Sequence, residues 1–407
     1  MTEGVHSSSE AALPERMQAL VYDRSLDPWE SSTGLRRLEV ATPRLEPGVV
    51  PADRSAVIVR TLFAGFCGSD RGIWFRKAFR NMIGGSLDED GKDQRVTGHE
   101  MLGEIVAVGD KSAAKYGYKP GDIVSTESHI ICGSCYQCRA GDTHVCAEDR
   151  IIGISMDGCF ADYMKLPAGA LWPTDIDRIR PEVGAIQEPF GNAVHACTKV
   201  DLRGRTVAIF GTGTIGLFAV LIARGLGAGR IIGVEPNPRH AAMARRLGAD
   251  EVIEPDLAGA DPIEADSRVV AAVKKATGGV GADVALEMSG FNSAFNAAIG
   301  STRRGGDVIL FGIHDGQQVI SSFGRLVMDG IALHSVVGRQ VFETWMVTRS
   351  LLEDRSNRIQ DLIWDVILDQ GRETVVDMDS WEKERFEGCI TNHPKVVLRF
   401  AGADVLG

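Results

Sequence analysis

Basic residues are in the minority. Against 55 Asp and Glu stand 44 Lys and Arg, leaving a formal net charge of −11. An acidic surface of that kind argues against general affinity for nucleic acid or anionic membranes. Internal repeats and low-complexity tracts are missing too, and the 47 glycines follow no period, which excludes solenoid and collagen-like architectures. The 8 cysteines are too few for a disulfide scaffold in a chain this long. The opening residues 1–16 hold no apolar core of signal-peptide length and predict a disordered polar tail. One uncharged run, Thr206 to Ala223, is long enough to imitate a membrane span, but its three glycines divide it into strand, turn and helix. A cytoplasmic protein with no membrane partner is the expectation.

What is present is globular: 44% apolar and 24% charged residues over 407 positions, enough for two domains. Between about 17 and 180, short β-like runs such as Ala56–Val59 and Glu104–Val108 alternate with Gly, Pro and Asp, the pattern of a β-rich domain with long loops. Near Asp201 the character changes. Strand-like Thr206–Phe210, a helix at 215–226, strand-like Ile231–Val234, a helix at 238–247 and further runs at 282–286 and 307–311 predict an α/β, doubly wound parallel sheet. A helix over 342–352 and a strand over 395–400 close the chain.

Gly211-Thr212-Gly213-Thr214-Ile215-Gly216 follows a strand and opens a helix. Gly211 suits the tight turn, Gly213 lets backbone approach a pyrophosphate, and Gly216 lets helix and strand pack closely. Phosphate oxygens then meet the free N–H groups of the helix start, here at Thr214 and Ile215. The second strand ends in Glu235, nineteen residues on, where an acid holds the adenosine ribose hydroxyls and repels a 2′-phosphate. NAD is therefore expected over NADP. Arg239 is placed to stack on adenine, or to help hold a phosphate.

Two sets of metal-binding residue types stand out. Cys132-x2-Cys135-x2-Cys138-x7-Cys146 packs four thiols into one lobe. A closed tetrahedral zinc site fits that spacing; an iron–sulfur cluster or free thiols are the alternatives. Nearby His144 is expected at the surface, outside a sulfur set already complete. The second set is scattered: Cys67, His99, Glu100 and Glu188. Their chemistry suits a zinc with an exchangeable position, but spacing alone does not select them.

Cys67-Gly68-Ser69-Asp70, Gly98-His99-Glu100, the cysteine lobe, the glycine turn and Glu235 occur in an order that resembles the zinc-dependent medium-chain dehydrogenase/reductase (alcohol dehydrogenase) family over roughly 17–400. Segments 128–133, 188–195 and 338–345 look most like its threonine dehydrogenase branch. The resemblance implies a GroES-like catalytic domain (17–181), a Rossmann NAD-binding domain (182–336) and a C-terminal segment (337–407) returning to the first. It implies a homotetramer or homodimer and two zinc ions per chain: one structural, one catalytic at Cys67, His99, Glu100 and Glu188. Asp70 would orient His99, Ser69 would hydrogen-bond a substrate hydroxyl, and His129 would line the substrate pocket unless it is an ordinary loop histidine. His195, Cys159, Cys197 and Cys389 are expected to pack.

The implied activity is hydride transfer from a secondary alcohol, a small molecule such as a threonine-like amino alcohol, to NAD. A polyol or sugar dehydrogenase is the alternative, and a zinc-free nucleotide-binding regulator a remote one. The chain departs from the threonine branch at Gly72, where that branch carries a proton-relay histidine, and in a longer stretch between Cys67 and His99. Residues 71–95, with Trp74, Phe75, Phe79, Arg76, Lys77 and Arg80, are expected to form either a partly mobile substrate lid or a loop packed on another subunit.

Overall fold

The computed structural model describes residues 13–313 and 316–406. The chain divides into two compact units: residues up to Glu188 together with those from Gly371 on, and Pro189–Gln370. Residues 1–12 of the expected tail lie outside the described residues, while Arg16 already opens the first strand, Arg16–Asp23. The expected domain limits shift accordingly. Residues 182–188 fall in the first unit and 337–370 in the second, so that only the part from Gly371 on returns.

The first unit is β-rich. Its largest sheet centres on the long strand Ala56–Phe66, which pairs antiparallel with Glu100–Val108, with Tyr163–Pro167 and with the C-terminal Val396–Arg399. Antiparallel pairing lets one face bury and the other carry polar groups. Even so, Ala56–Phe66 is buried almost throughout, because it sits between partners and under the aromatic cluster of Phe66, Trp74, Phe160 and Phe386. This strand ends one residue before Cys67. The sheet therefore aims the first metal-ligand candidate.

Six strands of the second unit form one sheet in the order Glu251–Ile253, Arg230–Val234, Thr206–Phe210, Ala282–Glu287, Thr302–Leu310, Ala332–Ser335, all parallel. Parallel strands covered on both faces read as continuous apolar runs, and Val207–Ile209 are fully buried. The uncharged run at 206–223 is thus a core strand, a turn and the buried helix Thr214–Gly225. No described helix is long and apolar enough to cross a membrane. The expected helices at 238–247 and 342–352 are Pro238–Arg246 and Glu343–Glu353.

Candidate metal centres and dinucleotide-binding turn

In the second unit the three glycines of the turn differ in what they answer to. Gly211 has φ +88°, and a Cβ there would stand 2.8 Å from Ser289 Cβ. At Gly216 a Cβ would meet the Gly211 carbonyl at 2.0 Å, so helix and strand touch only because it is absent. Gly213 is different. Nothing lies within 4 Å of the position a Cβ would take. No protein contact demands a glycine there, which fits open space kept for a ligand at the helix start. Beside the turn lies a cavity of ≈ 590 Å³ lined by Gly211, Gly213, Glu235, His240 and Asp266 among others. Arg239 is exposed, and the neighbouring His240 faces the cavity instead.

Glu235 is buried, and both of its carboxylate oxygens accept backbone N–H groups. Its Oε2 accepts the Thr212 N–H at 2.7 Å, and its Oε1 accepts the Asn237 N–H at 2.9 Å. The carboxylate ties the glycine turn to the end of the neighbouring strand. Thr212 and Asn237 carry no signal in sequence; their backbone N–H groups matter, not their side chains.

In the first unit, the sulfurs of Cys132, Cys135, Cys138 and Cys146 lie within 4.8 Å of one another. Cys135 caps the short helix Tyr136–Ala140 and accepts the Cys138 N–H. Cys132 Sγ accepts N–H groups from Ser134 at 3.4 Å and Cys135 at 3.3 Å. Those N–H groups hold the Cys132 thiol down at about 6, while desolvation and its thiol neighbours push Cys138 up to about 12. Backbone donors aimed at sulfur are what a thiolate requires. Four sulfurs at this separation match the closed tetrahedral set of a zinc ion. His144 stands outside the group.

Cys67, His99 and Glu100 also converge, one ligand atom from each within a mutual 4.8 Å. Strand pairing brings them together: Gly65, two residues before Cys67, lies opposite Glu100. Asp70 organises the group from behind. Its Oδ2 accepts the Cys67 N–H at 2.9 Å, and its Oδ1 is 3.7 Å from His99 Nδ1. The other ring nitrogen, Nε2, lies 3.2 Å from Ser69 Oγ. Glu188 is buried and accepts the Ser128 hydroxyl at 2.7 Å through Oε1. It stands outside the mutual reach of the other three, although it bears electrostatically on His99 and Glu100.

These groups are short of positive charge. Burial pushes the Glu100 carboxyl up against the pull of Lys395, and pushes Asp70 up against His99. His99 is carried well above the ordinary imidazole value; burial works against its charged form, but Asp70 and Cys67 outweigh it. Both Glu100 carboxylate oxygens are buried with no hydrogen-bond partner, Oε2 being in an ion pair with Lys395. A soft sulfur, an imidazole facing a carboxylate at 3.7 Å, and buried carboxylate oxygens without hydrogen-bond partners fit a zinc ion.

His129 sits on the strand His129–Ile130, its Nδ1 2.6 Å from Asp149 Oδ2. Asp149 was not singled out in sequence, since an acid twenty positions away gives no local pattern. His195, by contrast, is a packed residue, its Nδ1 3.0 Å from the Gly338 carbonyl.

Both readings of 71–95, a partly mobile lid or a loop packed on another subunit, are corrected in that two helices occupy most of the segment. Helices Gly68–Trp74 and Arg80–Asp90 belong to the core of the first unit, with Trp74, Ile83 and Leu87 fully buried. Arg76 lies over the rings of Tyr22 and Trp29, at 4.7 and 5.4 Å, and donates to the Gly34 carbonyl. Arg80 pairs with Glu30. The side chains expected to grip substrate are held by their own unit. At Gly72 a Cβ would stand 2.9 Å from Ala78 Cβ, so the following turn occupies the space a relay histidine would need.

Two family models match this chain: the alcohol dehydrogenase GroES-like domain over residues 53–176 and the zinc-binding dehydrogenase over 214–353. L-threonine 3-dehydrogenase of Caldanaerobacter subterraneus is 34% identical over 307 residues, 75% of this chain and 82% of that one. That of Symbiobacterium thermophilum is 35% identical over 328 residues, 81% and 86% of the two chains. The solved structure of 2R,3R-butanediol dehydrogenase from Bacillus subtilis shares the fold, with TM-score 0.75 and 24% identity over 94% of this chain and 99% of that one.

Proposed function

The chain belongs to the zinc-dependent alcohol dehydrogenase family, in its threonine dehydrogenase branch, and from that membership we propose that it oxidises a small secondary alcohol of the threonine type with NAD as hydride acceptor. The observation that carries this reading is the convergence of half-buried Cys67 with buried His99 and Glu100. Zinc bound there would supply Lewis acidity that lowers the pKa of the substrate hydroxyl, and NAD would take the hydride. Cys67 and His99 would hold the ion, with Glu100 and Glu188 as the carboxylates able to yield to substrate.

The remaining steps belong to the protein's own groups. Ser69 Oγ, 3.2 Å from His99 Nε2, is placed to accept the substrate hydroxyl proton and pass it outward. Asp70 keeps Nε2 of His99 turned toward the metal position by pairing with Nδ1. Asp149 does the same for His129, leaving its Nε2 for substrate. The glycine turn receives the pyrophosphate, and Glu235 excludes a 2′-phosphate. With Gly72 closed by Ala78, the proton leaves by another route.

Two zinc ions per chain, a homotetramer or homodimer, and the cytoplasm as compartment complete the proposal. Eight cysteines without a disulfide suit a reducing compartment. The edge strand Ala332–Ser335, with Leu333, Phe323, Val327 and Met328 exposed on and near it, suits pairing with another copy. A polyol or sugar substrate is the second reading, favoured by Gly72, where the threonine branch has its histidine. Assaying threonine, 2,3-diols, polyols and aldoses with NAD⁺ and NADP⁺, alongside metal counting, tests both. No turnover of any alcohol, with one zinc or none per chain, would reject them.

A further inference from the structure

Lys395 is one of the largest fully buried side chains of the protein and stands immediately before the C-terminal strand Val396–Arg399. That strand pairs antiparallel with Ala56–Phe66, Val396 opposite Phe66, which carries the ammonium to the rear of the Cys67 group. There Nζ donates to the Phe66 carbonyl at 3.2 Å, the residue before Cys67, and forms an ion pair with Glu100 Oε2. Glu100 is fully buried, so water does not screen this pair.

A second feature holds the same carboxylate. Gly65 faces Glu100 across the sheet, and a Cβ on Gly65 would stand 1.9 Å from Glu100 Oε2. The missing side chain opens a cradle for the oxygen that Lys395 grips. Both carboxylate oxygens are buried without a hydrogen-bond partner; Oε2 has the ion pair with Lys395, which leaves Oε1 for the metal position. With a metal bound by Cys67 and His99, Glu100 would be drawn two ways, toward the ammonium on one side and the ion on the other.

We propose that Lys395 and the cradle at Gly65 are positioning elements that hold Glu100 back as a reserve metal ligand, so that a coordination place stays available to substrate. This rests on the metal reading of Cys67 and His99 given above. Loss of the ammonium, or filling of the cradle, leaves the metal as the cation nearest Glu100 and turns the reserve ligand into a permanent one.

The experiment loads the full-length protein with Co²⁺ and records its visible d–d absorption as a difference against the Cys67→Ala protein, which isolates this site from the cysteine lobe. If the wild-type difference is nil, the metal reading itself fails. Given a wild-type signal, Lys395→Gln and Gly65→Ala should both weaken the bands, as an added ligand does to a four-coordinate ion. Release of the metal to a chelator should slow about tenfold, the lower end of what outer ligand partners do to affinity. Lys395→Arg, which keeps the charge, should stay near wild type. Where single variants fold poorly, Lys395→Met/Glu100→Gln removes both charges and should retain the wild-type bands. The proposal is overturned if Lys395→Gln matches wild type in spectrum and release, if Lys395→Arg departs as far as Lys395→Gln, or if the double variant loses the four-coordinate spectrum.

Discussion

Trp74 Nε1 donates to Glu387 Oε2 at 2.9 Å, joining the helix that begins beside Cys67 to the C-terminal helix Lys383–Asn392. The contact spans 313 positions of sequence and sits within an aromatic cluster, Trp74 edge-on to Phe66 and tilted against Phe386. A segment whose composition suggests a lid is thereby a structural wall behind the metal group.

Replacing that indole tests the wall. Trp74→Ala should lower unfolding stability by about 3–5 kcal/mol, the usual loss for a large buried aromatic. Urea denaturation measures it. A loss under about 1 kcal/mol, with altered substrate preference, would return the segment to the role of a lid.

Restoring the branch's histidine should not restore its relay. Gly72→His must push against Ala78, and overpacking of this kind costs about 1–3 kcal/mol. The melting temperature should fall, and the pH profile of kcat should gain no new ionisation. A new ionisation near pH 6–7 with an unchanged melting temperature would show that the turn opens to admit the ring.

The two cysteine groups should answer differently to loss of one sulfur. Cys135→Ala removes a member of a four-thiolate set that stands in for a core in its loop, so zinc content and thermal stability should fall together. Cys67→Ala should lose a zinc and all turnover while the melting temperature shifts far less. Equal thermal damage from both would contradict this division of roles.

Glu235 carries a prediction with two parts. The wild-type protein should show higher kcat/KM with NAD⁺ than with NADP⁺. Glu235→Ala should narrow that preference and also destabilise the fold by about 1–3 kcal/mol, because the buried N–H of Thr212 loses its acceptor. A preference for NADP⁺ in the wild type would remove Glu235 from the ribose site.

Much of the second unit was legible because its signals are local. The glycine turn, the strand before it and the acid closing the next strand lie within thirty residues, and each residue type answers to a backbone requirement nearby. The cysteine lobe was legible for the same reason, since its four ligands share one loop. Glu188 was not. Its residue type suits a ligand, yet no local pattern joins position 188 to position 67. Misreading 71–95 has a similar origin. Trp74 and Arg76 look like gripping residues until Glu387, Tyr22 and Trp29 are known to hold them.

What the sequence by itself determined, then, is every feature whose parts are chain neighbours: the α/β pattern, the glycine turn and the four-cysteine lobe. Tertiary structure alone decided how charge is balanced at the second metal group. Two strand registers, Gly65 against Glu100 and Val396 against Phe66, bring a carboxylate, the cradle that takes its oxygen and a buried ammonium to one point. Burial then makes their pairing matter, because a charge removed from water must find its partner within the protein. No spacing along the chain announces that Lys395 belongs with Glu100; only the pairing of a C-terminal strand with the sheet's longest strand puts it there.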